Sequence, residues 1–135
     1  MMPGSFKLQT NRHMEMIDIT DQIQSILAGV DEFEGFCYLF NPHTTAGLTI
    51  NEGADPDVQD DIIRAMQHIV PMNFNYRHAE GNSPSHIMAS MMGCSLQIAV
   101  SNRRMLLGTW QRIFFCEFDG PRMRTVHYRF SASSL

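Results

Sequence analysis

Four groups of histidine, acidic, amide and hydroxyl residues interrupt the otherwise alternating or apolar pattern of the chain, and these groups could do chemistry. They are His43-Thr44-Thr45, Asn51-Glu52-Gly53 with Asp55, His78 to Asn82 with Ser85-His86, and Thr109-Trp110-Gln111 with Glu117. Imidazole nitrogens can bind a divalent metal, and carboxylates can transfer protons or bind a cation. If folding brings the groups together, they could form a metal-assisted site for a small molecule.

The places of the histidines in the predicted elements suggest a metal site, but their spacing along the sequence does not. His86 lies in the first turn of a helix predicted to begin at Ser83-Pro84, where the positive end of the helix dipole favours a neutral ring. His78 lies in the loop before it, and no fixed metal motif is present. We expect a divalent ion at His43, His78 and His86, with zinc the first candidate and magnesium the second. The alternative is a hydrogen-bonded histidine cluster without metal.

Two carboxylates, Glu52 and Glu80, are candidates for proton transfer. Glu52 follows a predicted buried strand and does not crown an exposed helix turn. On an ideal strand, Gln111 and Glu117 share a face with the core residues between them, so their polar groups would need buried partners. Asp55 precedes Pro56 and also fits the N-cap of a helix.

Composition predicts one globular domain over residues 1–135, with 44% hydrophobic and 18% charged residues. Three cysteines without a CxxC pair argue against a disulfide framework. The net charge of −4 gives no general reason to expect nucleic acid, although residues 101–135 hold six arginines against two acids. The N-terminus lacks a signal-peptide pattern and no apolar run is long enough to span a membrane, so we expect a cytoplasmic protein that does not bind membranes.

Hydrophobic periodicity predicts an α+β fold with about seven strands and three helices. The helices are expected to begin at Thr20-Asp21, Asp55-Pro56 and Ser83-Pro84. The strands are expected at residues 6–10, 15–19, 36–40, 46–50, 96–100, 109–118 and 124–130. The polar groups then fall at the ends of these elements, where sites on a rigid scaffold usually form.

The order and spacing of these groups resemble the YjbQ family, also described as secondary thiamine-phosphate synthases. The resemblance rests on the run from His43 to Glu52, then Asp55-Pro56, Pro84 to Ile87, and Gly108 to Gln111 with Glu117, and it covers about residues 5–130. It implies a compact α+β fold with a mixed sheet, a homotrimer and a polar pocket. It also implies weak thiamine-phosphate synthase activity, which joins a pyrimidine diphosphate to a thiazole phosphate.

The resemblance assigns pocket positions residue by residue. Besides the three histidines and Thr109, the predicted catalytic positions are Asn51, Glu52, Asp55, Glu80, Ser85, Gln111 and Glu117. Their ligand would be a small anionic or phosphorylated molecule. Two hypotheses remain open: a small-molecule enzyme of the YjbQ type, and a ligand-binding or structural homotrimer without catalysis. The chain lacks an aspartate-rich signature for binding a metal–diphosphate complex. A different reaction on a small molecule is therefore a hypothesis of the same weight as thiamine-phosphate synthesis.

Overall fold

The computed structural model describes residues 2–133, so residues 1, 134 and 135 of the predicted domain lie outside the described residues. The helices are α1 (Thr20–Ala28), α2 (Pro56–Ile69) and α3 (Ser83–Met92). The strands are β1 (Met2–Gln9), β2 (Glu15–Asp18), β3 (Gly35–Phe40), β4 (Ala46–Glu52), β5 (Ser95–Ser101), β6 (Arg104–Met105), β7 (Gln111–Glu117) and β8 (Met123–Ala132). None of the helices between residues 2 and 133 has the length and apolar character needed to cross a membrane.

The strands form two sheets and not one. The large sheet has the order β1-β8-β3-β5-β6, and the small sheet has the order β2-β7-β4. The predicted α+β class is confirmed, but every strand pair between residues 2 and 133 is antiparallel, so the mixed sheet was wrong. The reason is the topology: each helical connection leads from the small sheet to the large one. No helix therefore joins two strands of the same sheet, which a parallel pair would require.

The small sheet is covered on both faces. Ile113 and Phe115 of β7 belong to the main core, which also contains side chains of the large sheet and α1. The intervening Phe114 and Cys116 belong to a second core beneath α2 and α3. Burial on both faces explains why β7 reads as a continuous apolar run. Burial also raises the pKa of the Cys116 thiol to about 12, so this cysteine packs and does not react.

Helices α1 and α2 begin where the sequence predicts, but the Thr20 side chain does not cap α1. The Asp55 carboxylate accepts the Asp57 N–H at 2.9 Å, with Pro56 in the first turn, as expected. At α1, Asp18 accepts the Thr20 N–H at 3.0 Å. The Thr20 hydroxyl does not cap the helix because it accepts the Ile113 N–H of β7 at 2.7 Å.

The strand predicted over residues 109–118 begins at Gln111 in the structure, two residues after its predicted start. The Gln111 carbonyl oxygen Oε1 accepts the Gly108 N–H at 2.8 Å, and the Gln111 N–H donates to the Gly108 carbonyl at 3.0 Å. These bonds close a turn that excludes Thr109 and Trp110 from β7. Gln111 is therefore exposed, while Glu117 at the other end of the strand is buried as predicted.

Candidate functional site

A buried ion pair joins the two sheets. Glu117 of β7 and Arg124 of β8 are 0% and 2% exposed. Arg124 Nε donates to Glu117 Oε2 at 2.7 Å, and its Nη2 donates to Glu117 Oε1. The same Nη2 donates to Thr45 Oγ1 at 2.9 Å, just before β4. The carboxylate and guanidinium neutralise each other, which is how two buried charges become tolerable.

Above this ion pair lies a cavity of about 540 Å³, lined on one side by residues 42–45 and Arg124. The other walls come from residues before and within α3 and from the β7–β8 loop: Glu80, Asn82, His86, Asp119 and Arg122. The volume suits a small molecule. Two of the four polar groups in the sequence therefore line one cavity, and Glu117 of a third group lies behind Arg124 and not in the wall.

His43 is held neutral in the cavity wall. Its Nε2 accepts the backbone N–H of Thr125 at 2.9 Å, so the neutral ring carries its proton on Nδ1. The pKa of His43 is lowered mainly by burial and next by the positive charge of Arg124. The negative charge of Glu117 opposes this shift. Buried Asn41 fixes the loop, because its Oδ1 accepts the His43 N–H at 3.0 Å and its Nδ2 donates to the Ala46 carbonyl at 2.7 Å.

The lowered pKa of His43 predicts a loss of stability in acid. The unfolded state binds a proton below about pH 6.5, whereas folded His43 resists protonation until a lower pH. The contribution of neutral His43 to the free energy of unfolding is therefore complete above pH 6.5. It is lost as the pH falls toward the lowered pKa of the folded state. We expect His43→Gln to show a smaller drop in unfolding free energy between pH 7.5 and 5 than the wild type, measured by urea denaturation. The exposed control His68→Gln should keep the wild-type drop, and an unchanged drop in His43→Gln would contradict the assignment.

The β7–β8 side of the cavity is organised around Asp119. Its Oδ2 accepts from Asn82 Nδ2 at 2.9 Å and from Arg122 Nη2 at 3.1 Å. His13 Nε2 lies 3.7 Å from Asp119 Oδ1. Asn82 Oδ1 is buried and accepts no hydrogen bond from residues 2–133. Buried polar atoms usually have partners, so Asn82 Oδ1 is an unused acceptor in the residue that joins α3 to Asp119.

His78 and His86 lie together, with ring centroids 5.4 Å apart and planes 87° apart. His78 Nε2 is 3.9 Å from Glu80 Oε2, and these side chains are 44% and 75% exposed, so the pair is weak. His43 lines the same cavity as His86, but its Nε2 lone pair is used by Thr125. Among residues 2–133, no group of three or more His, Cys, Asp or Glu side chains is arranged to hold a metal. The zinc or magnesium ion stays a prediction, which requires a further ligand or a rearranged His43.

Five predicted pocket residues lie away from this cavity within one chain: Thr109 in the turn before β7, and Asn51, Glu52, Asp55 and Gln111. They occupy the far end of β4 and its partner on β7, and β4 is about 20 Å long at roughly 3.3 Å per residue. Asp55 caps α2, Gln111 closes its turn, and Asn51 Oδ1 accepts the Glu52 N–H at 2.7 Å. Glu52 Oε2 is buried without a hydrogen-bond partner in residues 2–133.

Comparison with known proteins places the chain. Residues 4–133 match the family model described as UPF0047 protein YjbQ-like. The chain belongs to the YjbQ family. A relative from Methanocaldococcus jannaschii, named a UPF0047 protein, is 47% identical over 92% of this chain and 90% of its own length. The UPF0047 protein YugU of Bacillus subtilis is 44% identical over 95% and 98% of the two chains.

Solved structures, including one of a protein described as YjbQ-family, have the same fold. A Clostridium acetobutylicum protein described as uncharacterized and of the YjbQ/UPF0047 family superposes with a TM-score of 0.89 at 46% identity, covering 94% of this chain and 98% of that one. A hypothetical protein from Aeropyrum pernix has a TM-score of 0.93 at 34% identity, with 98% and 100% coverage. These descriptions state no activity, so the comparisons establish family and fold.

Sequence reasoning missed several residues of this YjbQ-family cavity. Ser85 was named as catalytic, but it is buried and donates to the Phe118 carbonyl at 2.7 Å, which anchors α3 to the end of β7. Arg124 was not singled out, although a cation in line with Val126 and Phe130 on the buried face of β8 is a recognisable signal. Asn41, Asp119 and Arg122 gave no signal beyond their place beside a proline or glycine, and Asn82 belonged to the third polar group but was given no role of its own.

Proposed function

We propose that the cavity beside His43 binds a small phosphorylated molecule and carries out acid–base chemistry on it. The observation that carries this proposal is the neutral His43 in one wall, opposite Arg122 and His86 in the others. Neutral imidazole exchanges protons near physiological pH, and guanidinium and imidazole N–H groups bind phosphate oxygens. The three free cysteines favour a reducing compartment, so we place the activity in the cytoplasm.

Charge in the cavity supports a role for a divalent ion. Arg122 is paired with Asp119, Arg124 is paired with Glu117, and Glu80 adds another carboxylate. A phosphorylated ligand therefore needs an additional positive charge for full compensation. Zinc or magnesium bound near His78 and His86 would supply that charge and polarise a phosphate oxygen.

The specific activity that we propose is weak thiamine-phosphate synthesis, in which a bond to the thiazole forms as diphosphate leaves the pyrimidine. In this proposal the cavity holds the phosphate groups, and His43 supplies an N–H donor through Nδ1. Glu80, 75% exposed, is free to move toward the ligand. The support is a polar cavity of suitable size together with membership of the YjbQ family.

A homotrimer gives the second group of predicted residues a role. Asn51, Glu52, Asp55 and Gln111 lie at the far end of β4, so one chain cannot bring them to its own cavity. In the trimer that we propose, this end of one subunit meets the cavity of its neighbour. The buried, unpartnered Glu52 Oε2 would then find a donor across the boundary.

The alternative function is a ligand-binding or structural trimer without catalysis. It is favoured by the mutual satisfaction of the buried groups, because Glu117, Arg124 and Thr45 already bond to one another. Such a network can fix subunit contacts without any reaction.

Two assays separate these functions: formation of thiamine phosphate from the two phosphorylated precursors, and calorimetric titration with inorganic pyrophosphate, each with magnesium or zinc. We expect product from the wild type, a rate at least about 100-fold lower in His43→Gln, and pyrophosphate affinity within about twofold of wild type in that variant. Glu52→Gln should also lower the rate while remaining folded.

His68→Gln is the matched control because this histidine is exposed on α2. Removal of divalent ions by a chelator should weaken pyrophosphate binding. Absence of product with either metal would reject the synthase activity, and pyrophosphate binding that persists would then favour the non-catalytic function. Equal rates in wild type and His43→Gln would reject acid–base chemistry at His43.

A further inference from the structure

The outer face of the large sheet carries an exposed row of aromatic side chains. Phe36, Tyr38 and Phe40 alternate along β3, the middle strand, and are 36%, 37% and 47% exposed. The rings of Phe36 and Tyr38 are 6.2 Å apart. A strand with one solvent-facing side normally presents polar residues on that side, so three aromatics at the centre of the outer face indicate a surface that another molecule covers.

The same face is positively charged. By register with β3 and β8, it also carries Lys7, Arg104, His127 and Arg129. Among residues 4–133, the carboxylate on this face is Glu34, at the end of the row, where it accepts from Ser101 Oγ at 3.0 Å. The remaining neighbours of β3 are small or uncharged, such as Ser95, Gln97 and Ala99. A chain of net charge −4 therefore presents one cationic, aromatic surface.

A complementary surface exists on the same chain. Residues 52–61 contain Glu52, Asp55, Asp57, Asp60 and Asp61 and no lysine or arginine. The four aspartates are exposed at the start of α2. A cationic face and an acidic segment on one chain can meet between copies, head to tail, and such a contact closes into a ring when its rotation allows.

We propose that the outer face of the large sheet, with Tyr38 at its centre, docks the acidic segment 52–61 of a second copy of this chain. This inference rests on the homotrimer of the proposed function and assigns the surfaces that form it. Phe40 at the end of the row lies three residues before His43, and Thr125 on this face donates the N–H that His43 accepts. The docked segment thus lies beside the cavity, and Asn51 and Glu52 of the second copy approach its mouth.

Light scattering and photo-crosslinking test the docking directly. We expect a particle of three chain masses for the wild type at micromolar concentration and of one chain mass for Tyr38→Ser/Arg129→Ser. Met72→Ser, which changes an even more exposed apolar side chain in the loop after α2, should leave the trimer intact. A benzophenone amino acid at position 38 should crosslink to a peptide containing residues 52–61, less efficiently at 1 M salt. This single substitution gives a result even if the double variant fails to fold.

Different failures have different meanings. A trimer that survives Tyr38→Ser/Arg129→Ser, or a crosslink from position 38 to any other segment, overturns this docking and leaves the proposed trimer standing. If the wild type is a monomer, both the docking and the proposed trimer are wrong. This holds whether or not the monomer retains nucleic acid detected at 260 nm. If that monomer still binds pyrophosphate, ligand binding by the cavity stands even though the trimer and the docking are rejected.

Discussion

Glu117→Leu is expected to lower the free energy of unfolding by about 3–5 kcal/mol, because it leaves the Arg124 guanidinium buried without a counter-charge. Arg124→Met should cost a similar amount by leaving the Glu117 carboxylate unpaired. The double variant Glu117→Leu/Arg124→Met should recover most of the loss, because replacing both charges with apolar side chains removes the desolvation penalty. Urea denaturation at pH 7 measures all three.

The matched control is the exposed pair of Arg64 and Asp60 on α2, with atoms 3.9 Å apart and side chains 72% and 68% exposed. Arg64→Met should change stability by less than about 1 kcal/mol. Single variants at Glu117 or Arg124 that cost no more than this control would show that the buried pair is not intact in solution. The double variant should also lose pyrophosphate affinity, since Arg124 lines the cavity.

Gly47→Val should destabilise the protein by about 2–3 kcal/mol and weaken pyrophosphate binding together. Gly47 allows α3 to approach β4, because a Cβ at this position would lie 2.9 Å from Met92 Cβ and 3.0 Å from the Gly93 carbonyl oxygen. That carbonyl accepts the Leu48 N–H at 3.0 Å, so a larger residue would strain the bond and displace the helix. Asn82 and His86 move with α3, which connects the packing to the cavity.

Gly29→Ala is the control for a glycine with room, since the nearest atom to its Cβ is the Ile26 carbonyl oxygen at 3.5 Å. It should remain within about 1 kcal/mol of the wild type and bind pyrophosphate normally. If Gly47→Val were as stable as Gly29→Ala, the close contact of α3 with β4 would not be a requirement of the fold. If it were unstable but bound pyrophosphate normally, the position of α3 would not control the cavity.

Features that depend on a few neighbouring residues could be predicted from the sequence. The cap of α2 at Asp55 and Pro56 is one, because the Asp57 N–H that it satisfies lies two residues away. The buried run of β7 is another, since its aliphatic and aromatic side chains suit both of its covered faces. The polar groups at element ends were also visible, and His43 and His86 do line one cavity.

Features that depend on which strands pair required the tertiary structure. Glu117 was predicted to be a buried polar group, but its partner Arg124 belongs to the other sheet. The tautomer of His43 depends on a hydrogen bond from a backbone N–H 82 residues away, and no local sequence pattern indicates this bond. The length of β4 separates Glu52 from His43, although both groups flank the same strand in the sequence. Residue types and caps act over one or two turns, whereas charge pairing, burial and the distance between groups are properties of the packed sheets.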